Sequence, residues 1–325
     1  MKIKFMPFIL IFMAIFFSWL SVFFFDNPDL ANYNDLIENC SLASPCSVEP
    51  LLWLLSDVSR FVNRYSDLNL TYLVYFFYQL TMLVAVSMTA KNIFLNKFKS
   101  LAFFFLWLFC FSPIVLFVQI RFGLAAALTI LSYSYLLEKK ERIKSYLSLL
   151  LAISSHFATL PHLISSFFLY KKESEVRNIT LTKYFTYAGC ISLALLFLKN
   201  GYLISYLPDF MSARISIYLN MGWDEVSSNT RDLSICMFLI LTLSLVLNRE
   251  KKNIYLVLGS FSFLPYMITP EIEIFVRFGL PFQYFLLVHF IDNIKSKSWW
   301  WICNSSLAMF FLYKMISNVY YLNSI

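Results

Sequence analysis

Residues 101–118 read LAFFFLWLFCFSPIVLFV, an apolar run with no charged side chain. A second such run, at residues 5–25, reads FMPFILIFMAIFFSWLSVFFF. An apolar helix of about 20 residues matches the hydrocarbon thickness of a bilayer, where the backbone must satisfy its own hydrogen bonds. Because the runs are continuous and do not alternate with polar residues, they favour helices over the strands of a barrel. The sequence therefore predicts an integral membrane protein.

The chain as a whole is also rich in hydrophobic residues and poor in charged ones. Of its 325 residues, 59% are hydrophobic and 14% are charged, whereas about a quarter of the residues in a soluble domain are charged. We predict an all-α, polytopic transmembrane helical bundle of about 10–11 spans, which forms a single integral membrane domain over residues 1–325. The predicted spans are residues 5–25, 68–90, 101–118, 120–137, 145–155, 157–170, 184–200, 233–248, 253–269, 277–294 and 299–317. The first span is expected to stay uncleaved, because no small-residue cleavage pattern closes it.

Residues 145–155 and 157–170 form a pair of short predicted spans. Each is short for a full crossing, although basic residues flank the pair on both sides. A re-entrant hairpin and two short, partly buried helices both fit this pattern. The span count therefore depends on how this pair folds.

Basic residues set the predicted orientation, because the cytoplasmic loops of membrane proteins are enriched in lysine and arginine. With the N-terminus in the cytoplasm, 15 of the 17 lysines lie inside, whereas six of the nine arginines lie outside. The net charge of +7 is thus an orientation signal and does not indicate nucleic-acid binding. A guanidinium group suits phosphate and carboxylate, so the outer arginines either bind an anionic ligand or pair with outer acidic residues.

Two long polar segments, about residues 26–67 and 201–232, form the predicted outer loops. Cys40 and Cys46 lie in the first loop. The sequence is compatible with a disulfide between them and with two free thiols. The six cysteines show no metal-ligand spacing, and the chain has no GxxxxGK[ST] phosphate-binding loop. The sequence predicts neither a metal nor a cofactor.

Arg121 lies at the edge of an apolar helix, in the stretch VQIRFGLAAA at residues 118–127. A charge there is costly unless it is paired or hydrated, so Arg121 is a functional candidate, with a structural ion pair as the alternative. Gly123 and the alanines after it predict a closely packed neighbouring helix. His156 lies at the tip of the short pair, on the same predicted side as Arg121, where a neutral imidazole can accept a proton. A hydrogen bond to a backbone carbonyl is the alternative role for His156.

Arg214 and Arg277 are the further arginine candidates. Arg214 lies in the second outer loop, and Arg277 opens the predicted span 277–294. Together with Arg121 they are predicted to form an outer basic pocket for a pyrophosphate. A solvated loop arginine is the alternative for Arg214.

The residues around Arg121 and His156 resemble the core of a known family. They comprise the stretch QIRFG at residues 119–123, a helix that ends in Lys139-Lys140, and Ser155-His156. The family is EpsG, whose members are Wzy-type polymerases of bacterial surface polysaccharide.

Other parts of the chain are similar to the same family. Asp29-Leu-Ala-Asn-Tyr33 resembles its acidic-Tyr segment, and Glu49-Pro50 resembles its Glu-Pro element. Residues 212–218 and 276–279 lie where the family carries basic residues. The family's Pro-Gly-Phe continuation after the glutamate is Pro50-Leu51-Leu52 here, a departure from the family pattern directly after Glu49.

The resemblance implies a membrane glycosyltransferase that needs no metal. Such a polymerase joins oligosaccharide repeat units carried on undecaprenyl pyrophosphate, at the outer, periplasmic face of the bacterial inner membrane. The expected partners are these lipid-linked units, membrane lipid and a chain-length regulator protein, with no nucleic acid. The expected catalytic residues are Arg121 and His156, and the expected substrate-binding residues are Arg214, Arg277, Asp29, Glu49 and Tyr33.

Two other classes of protein remain as alternatives. An O-antigen ligase would use similar arginine and histidine chemistry. A flippase or transporter of lipid-linked oligosaccharide would also be apolar and basic. Transporters commonly carry internal repeats and charges near the bilayer midplane, whereas the unusual charges here gather at the predicted outer edge.

Overall fold

The structure is a computed structural model in which part of the chain is described. The described residues are 12, 15–16, 18–19, 37–39, 41–44, 50–65, 69–117, 119–156, 159, 162–163, 166, 181–202, 228–247, 254–270, 277–293 and 300–324. The candidates Asp29, Tyr33, Glu49 and Arg214 lie outside the described residues, as do Cys40 and Cys46.

Every regular element among the described residues is a helix, which confirms the all-α prediction. The helices are α1 (Pro50–Asn63), α2 (Leu70–Ile93), α3 (Lys97–Phe117), α4 (Ile120–Ser134), α5 (Arg142–Ser155), α6 (Leu181–Lys199), α7 (Ser228–Leu247), α8 (Ile254–Phe261), α9 (Leu264–Ile268), α10 (Leu280–Asn293) and α11 (Trp300–Ser324). A π-helical turn, Tyr135–Lys139, continues α4.

Three helices among the described residues are long and apolar enough to cross a membrane: Leu70–Ile93, Ile120–Lys139 and Thr230–Leu247. Each falls on a span that the sequence predicts. Local apolar runs locate such helices well, because an isolated helix satisfies its own backbone in lipid. The full span count and the orientation remain predictions.

Two regions differ from the sequence prediction. Residues 253–269, predicted as one span, form α8 and α9, with a turn at Ser262 and Phe263 between them. Pro265 is the second residue of α9, and its missing N–H prevents a continuous ladder of hydrogen bonds through this turn. In addition, α1 lies within the predicted outer loop 26–67 and was not expected as a helix.

The chain divides into two compact units, Met1–Phe167 with Phe310–Ile325, and Phe168–Met309. The first unit holds α1 to α5 and the second half of α11. The second unit holds α6 to α10 and the first half of α11.

In the first unit, α4 is the central helix. Every residue from Phe122 to Ser134 is buried, and α2 and α5 are its principal neighbours. Asn92 Nδ2 donates a hydrogen bond to Ser134 Oγ (3.0 Å), which joins α2 to α4. The hydroxyls of Ser132 and Ser145 lie 2.9 Å apart and join α4 to α5.

Gly123 permits a close approach between α3 and α4. A Cβ atom at this position would lie 2.6 Å from Val115 Cβ and 2.7 Å from the Val115 carbonyl oxygen. The small residues of this stretch were predicted to admit a close helix neighbour, and the prediction is confirmed at Gly123. The end of α3 therefore rests directly on the first turn of α4.

The second unit is joined by a buried tyrosine. The Tyr184 hydroxyl of α6 lies 2.9 Å from Thr242 Oγ1 of α7 and 3.0 Å from Ser260 Oγ of α8. Since buried polar groups need partners, this cluster specifies how the three helices meet.

Candidate active site

Arg121 is the second residue of α4, so its position depends on how that helix begins. The Gly123 N–H donates to the Gln119 carbonyl (2.7 Å) and closes the first turn. The turn packs directly against α3, because Gly123 lies against Val115. The half-buried Arg121 side chain thus starts from a rigid piece of backbone at the helix N-terminus, where anions are favoured.

The end of α5 is bonded to this same piece of backbone. Ser155 Oγ donates to the Arg121 carbonyl (2.9 Å), and Ser155 is fully buried. With the contact between Ser132 and Ser145 at the other end, α4 and α5 form an antiparallel hairpin that is tied at both ends. The residue after Ser155 is therefore held beside the start of α4.

That residue is His156, which caps the C-terminus of α5. Its backbone is extended (φ −160°, ψ 122°), and its N–H donates to the Ala152 carbonyl (2.9 Å). Its own carbonyl accepts from the Thr159 N–H (3.1 Å) and from Thr159 Oγ1 (2.8 Å). The backbone of His156 is consequently bonded on both sides, and its side chain is half-buried.

The imidazole ring packs edge-on against Phe122, with ring centroids 5.5 Å apart and planes at 75°. Because Phe122 directly follows Arg121, the ring contact and the Ser155 hydrogen bond place Arg121 and His156 at one end of the hairpin. The structure thus brings together the two candidates that lie 35 residues apart in sequence (156 − 121).

The other two histidines are buried among structural partners. His162 is 2% exposed, and its Nδ1 lies 3.2 Å from the Tyr133 hydroxyl. His289 is fully buried, with Cys303 Sγ 3.8 Å from its Nε2. Of the three histidines, His156 is thus the only one with an accessible side chain.

Arg60 is an example of the alternative role for the outer arginines, which is pairing with an acidic residue. Its guanidinium pairs with Asp57 (2.8 Å) and donates to the carbonyls of Ile37 (2.6 Å) and Glu38 (3.2 Å). Asp57 in turn accepts from the Leu42 N–H (2.9 Å). Arg60 therefore fastens the segment before α1 to that helix, and its charge is used structurally.

Arg277 lies in the second unit, in the turn before α10. Gly279, two residues later, packs so closely on the Ser262 carbonyl that a Cβ atom would collide with it. Its carbonyl accepts from the N–H groups of Phe282 (3.0 Å) and Gln283 (3.2 Å) and so begins α10.

Arg121 and Arg277 lie in the same short sequence motif. The tetrapeptide Arg-Phe-Gly-Leu occurs at residues 121–124 and again at 277–280. In each copy the glycine rests against a backbone carbonyl, and the arginine stands two residues before it. Arg121 is the second residue of α4, whereas Arg277 precedes α10, which begins at Leu280. The repeated tetrapeptide is the sequence signal that could have predicted the shared glycine contact.

The described residues contain no group of three or more His, Cys, Asp or Glu side chains that could hold a metal ion. The same end of the hairpin carries Arg121, whose guanidinium can bind an oxyanion, and His156, whose imidazole can accept or donate a proton. This pair suits the transfer of a group from a phosphate ester to a hydroxyl.

Comparison with known proteins gives one match. A model of the EpsG family matches residues 5–324, nearly the whole chain, and confirms the family resemblance drawn from the sequence. No curated protein and no solved structure matches the chain. The family and the apolar helices together indicate a membrane protein of the polysaccharide polymerase type.

Proposed function

We propose that this chain, which belongs to the EpsG family, polymerises lipid-linked oligosaccharide repeat units at the outer face of the bacterial inner membrane. The substrate would be a repeat unit on undecaprenyl pyrophosphate, and the product a longer surface polysaccharide. The observation that carries the proposal is the hairpin end where α4 and α5 bring Arg121 beside His156.

In the proposed step, the hydroxyl oxygen of the acceptor sugar attacks the anomeric carbon of the growing chain. A new glycosidic bond forms as the bond between the anomeric carbon and the phosphate oxygen breaks. The lipid pyrophosphate leaves with the bonding electron pair, and a single displacement inverts the anomeric centre. No oxidant or reductant is needed.

Arg121 would stabilise the charge that develops on the leaving pyrophosphate. A fixed cation in a site of low dielectric is effective, because it needs no reorganisation as the charge appears. The rigid first turn of α4, held by Gly123 and by Ser155, supplies that preorganisation. Arg277 and Arg214 are proposed as further contacts to the substrate.

His156 would accept the proton of the attacking hydroxyl. An imidazole is neutral over much of the physiological pH range and can act as a general base there. Asp29 and Glu49, which lie outside the described residues, are the next candidates for this role, with Tyr33 in substrate binding. Much of the rate would come from holding two large lipid-linked substrates in line.

The first test is polysaccharide electrophoresis on cells that lack the gene. We expect loss of the long-chain ladder, with single repeat units still attached to the lipid core. Loss of all attached sugar, single units included, would point instead to a ligase or a flippase. An unchanged ladder would reject the polysaccharide function.

A His156→Gln variant is expected to polymerise about a hundredfold to ten-thousandfold more slowly, the usual contribution of a general base. Glutamine keeps the size and a hydrogen-bonding group but cannot take up the proton. The measurement is the rate of ladder formation after the wild-type or the variant gene is induced.

His162→Gln is the matched control, because it makes the same change at a buried histidine bonded to Tyr133. It is expected to lower protein level but not the rate per molecule. If His156→Gln polymerised at the wild-type rate, the general base would have to be sought among Asp29 and Glu49.

A further inference from the structure

Lys314 is an unusual residue for its position. It lies in α11, 14 residues after Trp300 (314 − 300), which is about 21 Å along the helix axis. It also falls within the predicted span 299–317, near its outer end. An ionisable side chain within a membrane span marks a functional site unless a partner neutralises it.

The surroundings of the Lys314 ammonium are aromatic. Its Nζ lies 4.9 Å from the centre of the Phe111 ring and 5.6 Å from that of Phe310. Both phenylalanines are buried, at 2% and 5% exposure. Cys110 Sγ lies 3.8 Å from the Phe311 carbonyl oxygen, so α3 and α11 are in contact here.

No carboxylate among the described residues pairs with Lys314, and its Nζ faces the two phenyl rings instead. Two phenyl rings attract a cation, but they leave its net charge uncompensated. A half-buried ammonium in apolar surroundings therefore favours a mobile anion as its partner.

The position of Lys314 relates it to Arg121 within the first unit. Phe111 and Val115 are four residues apart on α3 and share one helix face. Val115 rests against Gly123, at the start of α4. The ammonium over Phe111 consequently lies about one helical turn, roughly 6 Å along α3, from the level of the turn that carries Arg121.

We propose that Lys314 is a phosphate-binding residue, whose ammonium binds an oxyanion of a lipid-linked phosphate at the outer end of α3. The ligand class is a phosphate carried by a membrane lipid. Its source is either the diphosphate of a polyprenyl substrate or the headgroup of a phospholipid. The first source rests on the proposed function; the second does not.

The experiment is lipid binding to the purified full chain in phosphatidylcholine nanodiscs, followed by native mass spectrometry. The two probes are a polyprenyl diphosphate and phosphatidylglycerol. Lys314→Met, which keeps the length of the side chain and removes its charge, is expected to weaken binding of one probe at least about tenfold. Lys314→Arg is expected to stay within about threefold of wild type, since it keeps the charge.

Lys199→Met is the matched control, because Lys199 is the other lysine on the predicted outer side and lies at the end of α6. It is expected to bind both probes as wild type does. Should Lys314→Met fail to fold, Lys314→Gln makes the same charge change with a polar side chain.

The outcomes separate the sources. A loss for polyprenyl diphosphate assigns the site to the substrate, and a loss for phosphatidylglycerol alone assigns it to a phospholipid headgroup. Unchanged binding of both probes overturns the proposal.

A wild-type protein that binds diphosphate through Lys314 yet forms no polymer in cells would overturn the proposed function and keep this site. If the wild-type protein polymerises and its Lys314→Met variant binds both probes normally, the proposed function stands and the Lys314 site is overturned.

Discussion

An Arg121→Ala variant is expected to lose the long-chain ladder, with a fall in polymerisation rate of about a hundredfold to a thousandfold. This is the usual cost of removing one preorganised group that stabilises an oxyanion. The guanidinium would face the leaving pyrophosphate from the start of α4. Two contacts position this helix start, namely the close packing of Gly123 and the hydrogen bond from Ser155. Truncation to alanine leaves both of these backbone contacts in place.

The measurement is electrophoresis of the polysaccharide from cells that carry only the variant gene, with protein level checked by immunoblot. Arg121→Lys separates charge from geometry, because an ammonium keeps the charge but not the two-pronged donor; we expect it to restore a small part of the activity. Arg231→Ala removes an exposed arginine near the start of α7 and is expected to behave as wild type. A full-length ladder from Arg121→Ala would remove Arg121 from the mechanism.

A Gly123→Ala variant is expected to lose about 1–3 kcal/mol of stability, the usual cost of forcing an extra methyl group into a well-packed core. The added Cβ would lie 2.6 Å from Val115 Cβ and 2.7 Å from the Val115 carbonyl oxygen. A backbone carbonyl cannot rotate away as a side chain can, so α3 and α4 must separate. Because Arg121 stands on the same turn, polymerisation should fall as well.

Thermal unfolding of the purified protein in detergent measures this effect. Gly189→Ala is the matched control, because a Cβ atom on Gly189, within α6, meets nothing within 4 Å. That substitution is expected to leave the melting temperature unchanged or to raise it, since alanine is favoured over glycine in a helix by up to about 1 kcal/mol. Equal melting temperatures for Gly123→Ala and the wild type would show that the ends of α3 and α4 are not tightly packed.

The sequence could predict most helices because the signal for a helix in a membrane is local. The apolar runs at residues 68–90, 101–118, 120–137 and 233–248 correspond to α2, α3, α4 and α7. The division of residues 253–269 was not predicted, although Pro265 was visible in the sequence. A proline in an apolar run can kink or end a helix, and the packing around it determines which occurs.

The candidate site was predictable in part. A charge beside an apolar run singled out Arg121, and the turn between two short spans singled out His156. Arg121 and His156 lie at the same end of a hairpin because the two helices that carry them are antiparallel and joined by a short connection. The sequence could not show that Arg60 has a structural role, because its partners, Asp57 and the carbonyls of Ile37 and Glu38, are brought to it only by the fold.

The sequence alone thus determined the membrane class, the helices in the long apolar runs, the family and the two leading candidates, because hydrophobicity and short motifs are properties of neighbouring residues. The tertiary structure alone decided that Gly123 rests on Val115, that Ser155 bonds to the Arg121 carbonyl, and that Lys314 lies over Phe111. Each of these contacts joins residues from different helices. Such contacts depend on how the helices pack, and this is the sum of many weak interactions that no single stretch of sequence encodes.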